Sequence, residues 1–320
     1  MQTKYACSNN TRASLFEVVN GSNVSTYLET LDLVSDINTH IDKNSNLVLF
    51  EYLFIDLSKQ PSNITSDIII KNYNFIVKFN NNEEYYPLQL LHYIKPSTIN
   101  GQNTLIIPIS FDYFINNNND GLNIYDLAFM DISCAVKHKI TNIPLTNIAL
   151  CNKRTLYDSL LSKQYFNATN SIIHYNARQI SLFNIISQHS DIKYQIPCNT
   201  GLLNGFIISL DTLNTTLANI TNIEIFICNE RKHNFTQELF NLYCNKLTQN
   251  AIYIPININK DNSIMNRSFI NVDCLSKVCD TPISIKITTN LEHGFDATIY
   301  LIKLSYFLTQ CGVCCFADKL

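Results

Sequence analysis

Cysteine, histidine and adjacent carboxylates are the side chains of this 320-residue chain that could do chemistry, and their spacing limits which chemistry is open. Cys311 and Cys314 form a C-x-x-C pair, Cys315 follows directly, and Cys274 and Cys279 lie upstream. Four thiolates brought together from these positions would make a tetrahedral zinc site. The same residues would also serve as a disulfide, or as reduced thiols packed like small apolar groups. The apolar surroundings of most of the 11 cysteines favour buried thiols. The seven histidines (40, 92, 138, 174, 189, 233 and 293) form no H-x-H pair, and a metalloenzyme built on strands needs its imidazoles clustered. Glu83 and Glu84 sit beside Asn80–Asn82 and read as a solvated hairpin tip, where nothing separates two carboxylate pKa values for acid–base work. HExxH, GxSxG and glycine-rich phosphate loops are all missing, and seven glycines could hardly build the last of these. The sequence therefore assigns no catalytic, cofactor-binding or metal-binding residue, and no cofactor is expected.

Composition narrows the class of protein further. Hydrophobic residues make up 46% of the chain, charged residues only 15%, and the net charge is −3. That balance supplies a core for two domains of roughly 150 residues, with no disulfide staple required. Arginine occurs only at 12, 154, 178, 231 and 267, and no basic run exists to track phosphates, so a specific nucleic-acid partner is not expected. The amino-terminal MQTKYACSNN has no apolar core of a secretory signal. The most apolar stretch, Ala297 to Ala317, carries Lys303, Ser305, Thr309 and Gln310 and alternates in its first half. It reads as strand, not as a membrane span.

Period-two alternation runs through the chain. It is seen at Phe75–Val77–Phe79, Ile109–Phe111–Tyr113, Ile132–Cys134–Val136 and Ile223–Ile225–Ile227. It returns at Ile252–Ile254–Ile256–Ile258, Ile283–Ile285–Ile287 and Ile302–Leu304–Tyr306–Leu308. β-branched and aromatic residues in this rhythm predict strands with one buried face. Asn80–Asn82, Asn116–Gly121 and Asn259–Asn262 read as turns, because asparagine tolerates the left-handed region. A helix is predicted over Phe235–Thr248 with Asn234 as its cap, a shorter one over Arg154–Lys163, and one turn from Pro87 through Leu91. The strand candidates fall into two similar groups with a break near residues 142–155. The fold class is all-β: an amino-terminal arm (1–20), then two tandem antiparallel sandwiches (21–141 and 142–320), with a few short helices in connections.

Several stretches resemble one family. The run IIPISFDYFINNNNDGLNIYDLAFMDISCAVK, from Ile106 to Lys137, is similar to a segment of major capsid proteins of the double jelly-roll lineage, with Pro108, Phe111, Phe114, Leu122, Leu127 and Ile132 matching. That lineage coats nucleocytoplasmic large DNA viruses, virophages and Polinton-like viruses. HYNARQISLFNIISQ and KYQIPCNTGLLNGFIISL resemble the family's opening of the second roll. RSFINVDCL resembles its Asn-Phe-Ser-Arg-Ile-Asp motif at Phe269 and Asp273, with Ser268, Ile270 and Asn271 in place of the Asn, Ser and Arg. IYLIKLSYFLTQCGVCCFAD resembles its closing strand, with Gly312 matching.

The resemblance implies a structural protein of the virion, folded in the reducing cytoplasm or nucleus of a host. Three copies would form a pseudo-hexameric capsomer of an icosahedral shell. Its partners would be further copies of itself, neighbouring capsomers, and penton or minor capsid proteins. Contact with an inner membrane has no support in the residues. A carbohydrate- or receptor-binding β-sandwich is the alternative. The absence of Trp, the usual aromatic of such a binding rim, counts against it.

Overall fold

Alternating side chains point to opposite sides of an extended backbone, so each run identified above can pack one face and leave the other free. The computed structural model describes residues 5–8, 12–15, 24–109, 122–124, 127–140, 143–157, 173–186, 189–196, 201–211, 215–257, 269–280, 282–310 and 313–317. The chain forms two compact units, Met1–Ala177 with Tyr306–Phe316 and Arg178–Ser305 with Ala317–Leu320.

In the first unit the strands are β1 (Tyr5–Ser8), β2 (Arg12–Leu15), β3 (Val24–Leu33), β4 (Thr39–His40), β5 (Leu47–Asp56) and β6 (Tyr73–Phe79). They continue as β7 (Asn82–Pro87), β8 (Thr98–Ile99), β9 (Thr104–Pro108), β10 (Leu122–Asn123), β11 (Ile132–His138) and β12 (Ile148–Tyr157). One sheet has the order β3-β12-β5-β9, extended by β2 and β1 at one edge and β8 at the other, with β10 also on β5. The facing sheet has the order β4-β11-β6-β7. Two short helices, α1 (Ser66–Asn72) and α2 (Leu88–Ile94), fill connections.

The second unit repeats this plan. Its strands are β13 (Ile173–Ile186), β14 (Asp191–Gln195), β15 (Leu202–Leu210), β16 (Ile220–Ile227), β17 (Glu230–Thr236) and β18 (Asn245–Lys246). Then come β19 (Ala251–Pro255), β20 (Ile270–Asn271), β21 (Ile283–Thr289), β22 (Asp296–Gln310) and β23 (Val313–Ala317), although the start of β13, the end of β22 and β23 up to Phe316 fall in segments counted with the first unit. The sheets run β13-β22-β15-β19 and β14-β21-β16-β17, with β18, β20 and β23 added at the margins. Here the short helices are α3 (Gln237–Tyr243) and α4 (Val272–Ser276). If the eight principal strands of either unit are numbered along the chain, the two sheets read 1-8-3-6 and 2-7-4-5. That order is the jelly roll, and the chain contains it twice.

Each roll is held by the faces that its two sheets turn inward. In the first, Phe50 on β5 meets Phe75 on β6 edge to face, with ring centroids 6.1 Å apart, and Leu53, Leu150 and Val77 are fully buried. In the second, Leu203, Phe206, Ile208, Ile254 and Leu301 pack against Ile223, Ile225, Ile285 and Phe235. Every residue of β15 and β19 is buried, so these strands depart from the simple in–out alternation. Asn204 is the extra residue of a bulge between β15 and β22; its Oδ1 accepts a 2.8 Å hydrogen bond from the Tyr253 hydroxyl. Gly205 beside it leaves no room for a side chain, since a Cβ there would stand 2.5 Å from the Ile254 carbonyl oxygen.

Several expectations shift once the strands pair. β12 lies beyond residue 141, where the sequence ends the first roll, yet it pairs along its full length with β3 and down to Leu47 with β5. The predicted helix over Arg154–Lys163 is strand from Arg154 to Tyr157, and its remainder lies outside the described residues. Arg154 is 1% exposed, its guanidinium paired with the Glu29 carboxylate on β3 and donating to the Asp42 carbonyl and to Ser45 Oγ at 3.2 Å. A solvent-facing helix would forfeit that pairing. The predicted helix over Phe235–Thr248 shrinks to Gln237–Tyr243, because Phe235 is drawn into the core opposite Ile223, and Asn234 pairs with Glu224 instead of capping. Helix α2 runs one turn longer than predicted, with Pro87 just ahead of it as its cap residue. Asn80 forms the expected turn with φ of 52°. Phe111, Tyr113, Asn116–Gly121 and Asn259–Asn262 lie outside the described residues.

Replacing Arg154 by Ala leaves the Glu29 carboxylate buried without its countercharge, so chemical denaturation should show a loss of about 3–5 kcal/mol. Removing both charges as Glu29→Leu with Arg154→Met should cost clearly less than the single change.

Candidate functional site

The residues that could have formed a reactive centre are scattered. Cys274 is exposed and Cys279 half-exposed; Cys311 lies outside the described residues, and Cys314 and Cys315 fall in β23. Among the described residues no group of three or more His, Cys, Asp or Glu could hold a metal ion. Cys134, Cys151 and Cys244 are buried, and desolvation pushes their thiols up, Cys151 to about 11 and Cys244 to about 12. Glu83 and Glu84 do not form the hairpin tip; both lie in β7, just past it. Glu83 accepts a hydrogen bond from the Tyr85 hydroxyl, which holds its carboxyl below the usual range, and pairs with Lys78 across the strands at 3.5 Å.

Three of the histidines bond backbone groups instead. His92 Nδ1 accepts from Ser97 N–H at 3.1 Å, His138 Nδ1 from Ile140 N–H at 3.2 Å, and His233 Nε2 bonds the Ile256 carbonyl at 3.0 Å. Burial pulls the His92 and His233 rings below their ordinary pKa; His92 needs the neutral form to accept at Nδ1, whereas the bond from His233 to the Ile256 carbonyl pulls the other way.

What the first unit does present is a shaped apolar surface. On the outer face of its larger sheet, where β3 and β5 end and β12 begins, lies an open groove of about 660 Å³. Leu33, Val34, Phe54, Leu145 and Ala149 supply its apolar lining, with Asp32 and Asp56 among the polar residues beside them. The tight turn after β3 carries Val34 and Ile37, 56% and 58% exposed, and is closed by Ile37 N–H donating to the Val34 carbonyl at 3.2 Å. The backbone N–H of Asp36, a residue at φ of 64°, and the Ser35 hydroxyl both donate to the carbonyl of Val136 on β11, which pins the turn to the smaller sheet. A turn fixed in this way cannot fold its apolar side chains inward, so they stay available to a covering surface.

The opposite wall is the segment before β12, and polar groups hold it. Gln60, only 9% exposed, donates from Nε2 to the carbonyls of Asp56 (2.8 Å) and Thr146 (2.6 Å), while its Oε1 accepts from Thr146 N–H at 3.1 Å. Thr146 Oγ1 donates to the Lys59 carbonyl at 2.8 Å, and Asp56 N–H to the Asn147 carbonyl at 3.2 Å. Asp56 caps the short 3-10 turn Leu57–Lys59, and the Ser58 hydroxyl and N–H bonded to it hold its carboxyl below the ordinary range. Further along, the Tyr73 hydroxyl donates to the Ile143 carbonyl at 2.9 Å, leaving the Ile143 side chain 43% exposed. None of these residues stands out in the sequence. The only signal was an apolar pair, Val34 and Ile37, flanking Ser-Asp where a strand should end.

The twice-repeated jelly roll defines the class: this is the double jelly-roll fold of viral major capsid proteins, as the resemblance in the sequence implied. The chain is similar to the structure of VP54 of PBCV-1 fitted into a reconstruction of the virophage Sputnik, with a TM-score of 0.63 at 8% identity over 94% of this chain and 99% of that one. A quasi-atomic model of the PBCV-1 capsid gives the same values. A subunit in the atomic structure of Sulfolobus Turreted Icosahedral Virus matches at a TM-score of 0.53 and 8% identity, over 87% of this chain and 90% of that one. No protein-family model matches the sequence, and no curated protein does either.

Substituting Gln60 by Ala strips partners from buried carbonyl and amide groups of the groove wall. We expect a loss of about 1–3 kcal/mol in denaturant unfolding and faster amide exchange at Thr146.

Proposed function

We propose that this protein is a shell-forming capsid subunit whose work is assembly and not catalysis. The observation that carries the reading is the repeat itself: one jelly roll twice in a single chain, matched over 94% of its length to a capsid protein. Three chains with two rolls each would give a capsomer with six similar corners, which tiles a closed icosahedral surface from one gene product. The boundary between the rolls belongs to this proposal: β12 is assigned to the first roll, so the division falls after Tyr157 and before Ile173 and not at 141–142.

The surface chemistry is consistent with it. A net charge of −3 on 320 residues lets copies approach without strong mutual repulsion. Apolar side chains held outward on fixed turns, as Val34 and Ile37 are, gain free energy only when a neighbour covers them. We place the partner at that lip as a second copy of the chain. Neighbouring capsomers, penton and minor capsid proteins would be the further partners, the virion the location, and a reducing host compartment the place of folding.

Light scattering on a sizing column should give three times the monomer mass, with hexagonal outlines in negative stain. Val34→Asp combined with Ile37→Asp should lower the association constant by at least about tenfold while the circular dichroism stays unchanged. A wild-type chain that remains monomeric at all concentrations and binds immobilised glycans would replace this reading by the binding β-sandwich.

A further inference from the structure

Cys228 and Cys279 are far apart in sequence, and no spacing pattern pairs them, yet the second unit brings them together. Cys228 and Asn229 are the two-residue turn joining β16 to β17, with left-handed φ values of 49° and 66° at both positions. This is the geometry that matches the twist of a hairpin, and it fixes where the Cys228 side chain starts. Cys228 N–H donates to the Pro282 carbonyl at 2.8 Å, continuing the ladder between β16 and β21. The segment it thereby touches is the connection from α4 to β21, which carries Cys279. Cys279 is anchored in turn, its N–H donating to the Leu275 carbonyl at 3.0 Å. The Asn229 amide reaches to 4.0 Å from Cys279 Sγ, which sets the Cys279 thiol beside the two-residue turn that Cys228 opens. Both cysteines are partly exposed, unlike Cys134, Cys151 and Cys244.

We propose that Cys228 and Cys279 form a reversible disulfide by exchange with a small-molecule disulfide such as oxidised glutathione. One thiol gives its proton to solvent, and its thiolate attacks a sulfur of the oxidant, expelling one glutathione thiolate. The second protein thiolate then attacks the protein sulfur of that mixed disulfide and expels the other. Two protein S–H bonds and the oxidant's S–S bond are exchanged for one protein S–S bond and two glutathione thiols. The protein is thereby oxidised by two electrons. The product ties the β16–β17 turn covalently to the connection after α4 and closes a loop that holds β17, α3, β18, β19, β20 and α4. The inference concerns the second unit alone and stands whether or not the chain builds a shell.

Thiolate is the attacking species, so protonation governs the rate. Burial, the neighbouring Cys279 and the Glu230 carboxylate all push the Cys228 thiol above its ordinary pKa. The sign follows: less thiolate is present at neutral pH than for a free cysteine, and cross-linking accelerates as pH rises, by up to about tenfold per unit below that pKa.

The test is to incubate the purified full-length protein with oxidised glutathione at pH 7 and pH 8.5, block free thiols with iodoacetamide, and map peptides by mass spectrometry without reduction. We expect a linked peptide pair containing Cys228 and Cys279, formed several-fold faster at pH 8.5, removed by dithiothreitol and missing in both Cys228→Ser and Cys279→Ser. Alkylation of both residues after prolonged oxidation overturns the proposal. So does stable glutathionylation of either, or linkage of Cys228 to Cys274 in place of Cys279.

Discussion

The placement of the last strand of each roll between its first and third is the constraint from which the rest of this structure follows. β12 is hydrogen-bonded to β3 on one side and β5 on the other, and β22 occupies the same position between β13 and β15. Until that strand arrives, the first and third strands each expose an unpaired edge, and the larger sheet cannot present one continuous inner face. Its arrival completes the ladder and brings Leu150 opposite Leu53, so the core closes in the same step as the sheet. Contacts of such long sequence separation incur their loop-closure entropy before they are rewarded, which makes late, cooperative closure the expected folding order.

Closure also explains where polar residues are tolerated inside. Along the inner face of β12, Ile148 and Leu150 are followed by Asn152 and Arg154, so one end of the first sandwich is apolar and the other polar. The cost of burying the guanidinium is met by Glu29 across the ladder and by the Asp42 carbonyl and Ser45 in the connection leading to β5. The polar end thereby fixes the register of β12 against β3 and the place of the connection leading to β5 at once. A purely apolar end would have been free to slip by two residues without exposing charge.

Function, on this reading, belongs to connections held still by the sandwich. The turn at 34–37 and the wall at 143–147 are irregular backbone, yet Val136, Gln60 and Tyr73 tie them to strands and to a capped turn. Rigid loops lose little entropy on association, which is how a modest apolar surface can contribute to a specific contact. The Cys228 turn is organised by the same means, held by the ladder on one side and by the α4 connection on the other. The two cysteines lie in a turn and a connection at one end of the smaller sheet of the second roll, and both are partly exposed where Cys134, Cys151 and Cys244 are buried. Chemistry and contact surfaces are thus both carried by turns, while the strands carry stability.

The sequence by itself determined the strands, their inward faces, the all-β class and the division into two rolls, because a period of two is a local property written in neighbouring residues. Its collinear motifs reached the double jelly roll as well. Only the tertiary structure decided which strand lies beside which, and so it claimed Arg154–Tyr157 and Phe235 for strands where helical spacing had competed. Local spacing cannot report that Arg154 finds Glu29, because the partner's identity depends on pairing over long separations. The same reason hid the groove and the Cys228–Cys279 pair. Val34, Gln60 and Cys228 are unremarkable where they stand in the chain, and acquire meaning only from residues that folding brings alongside them. The C-x-x-C spacing that drew attention in the sequence had a local pattern, whereas the cysteines that meet have none.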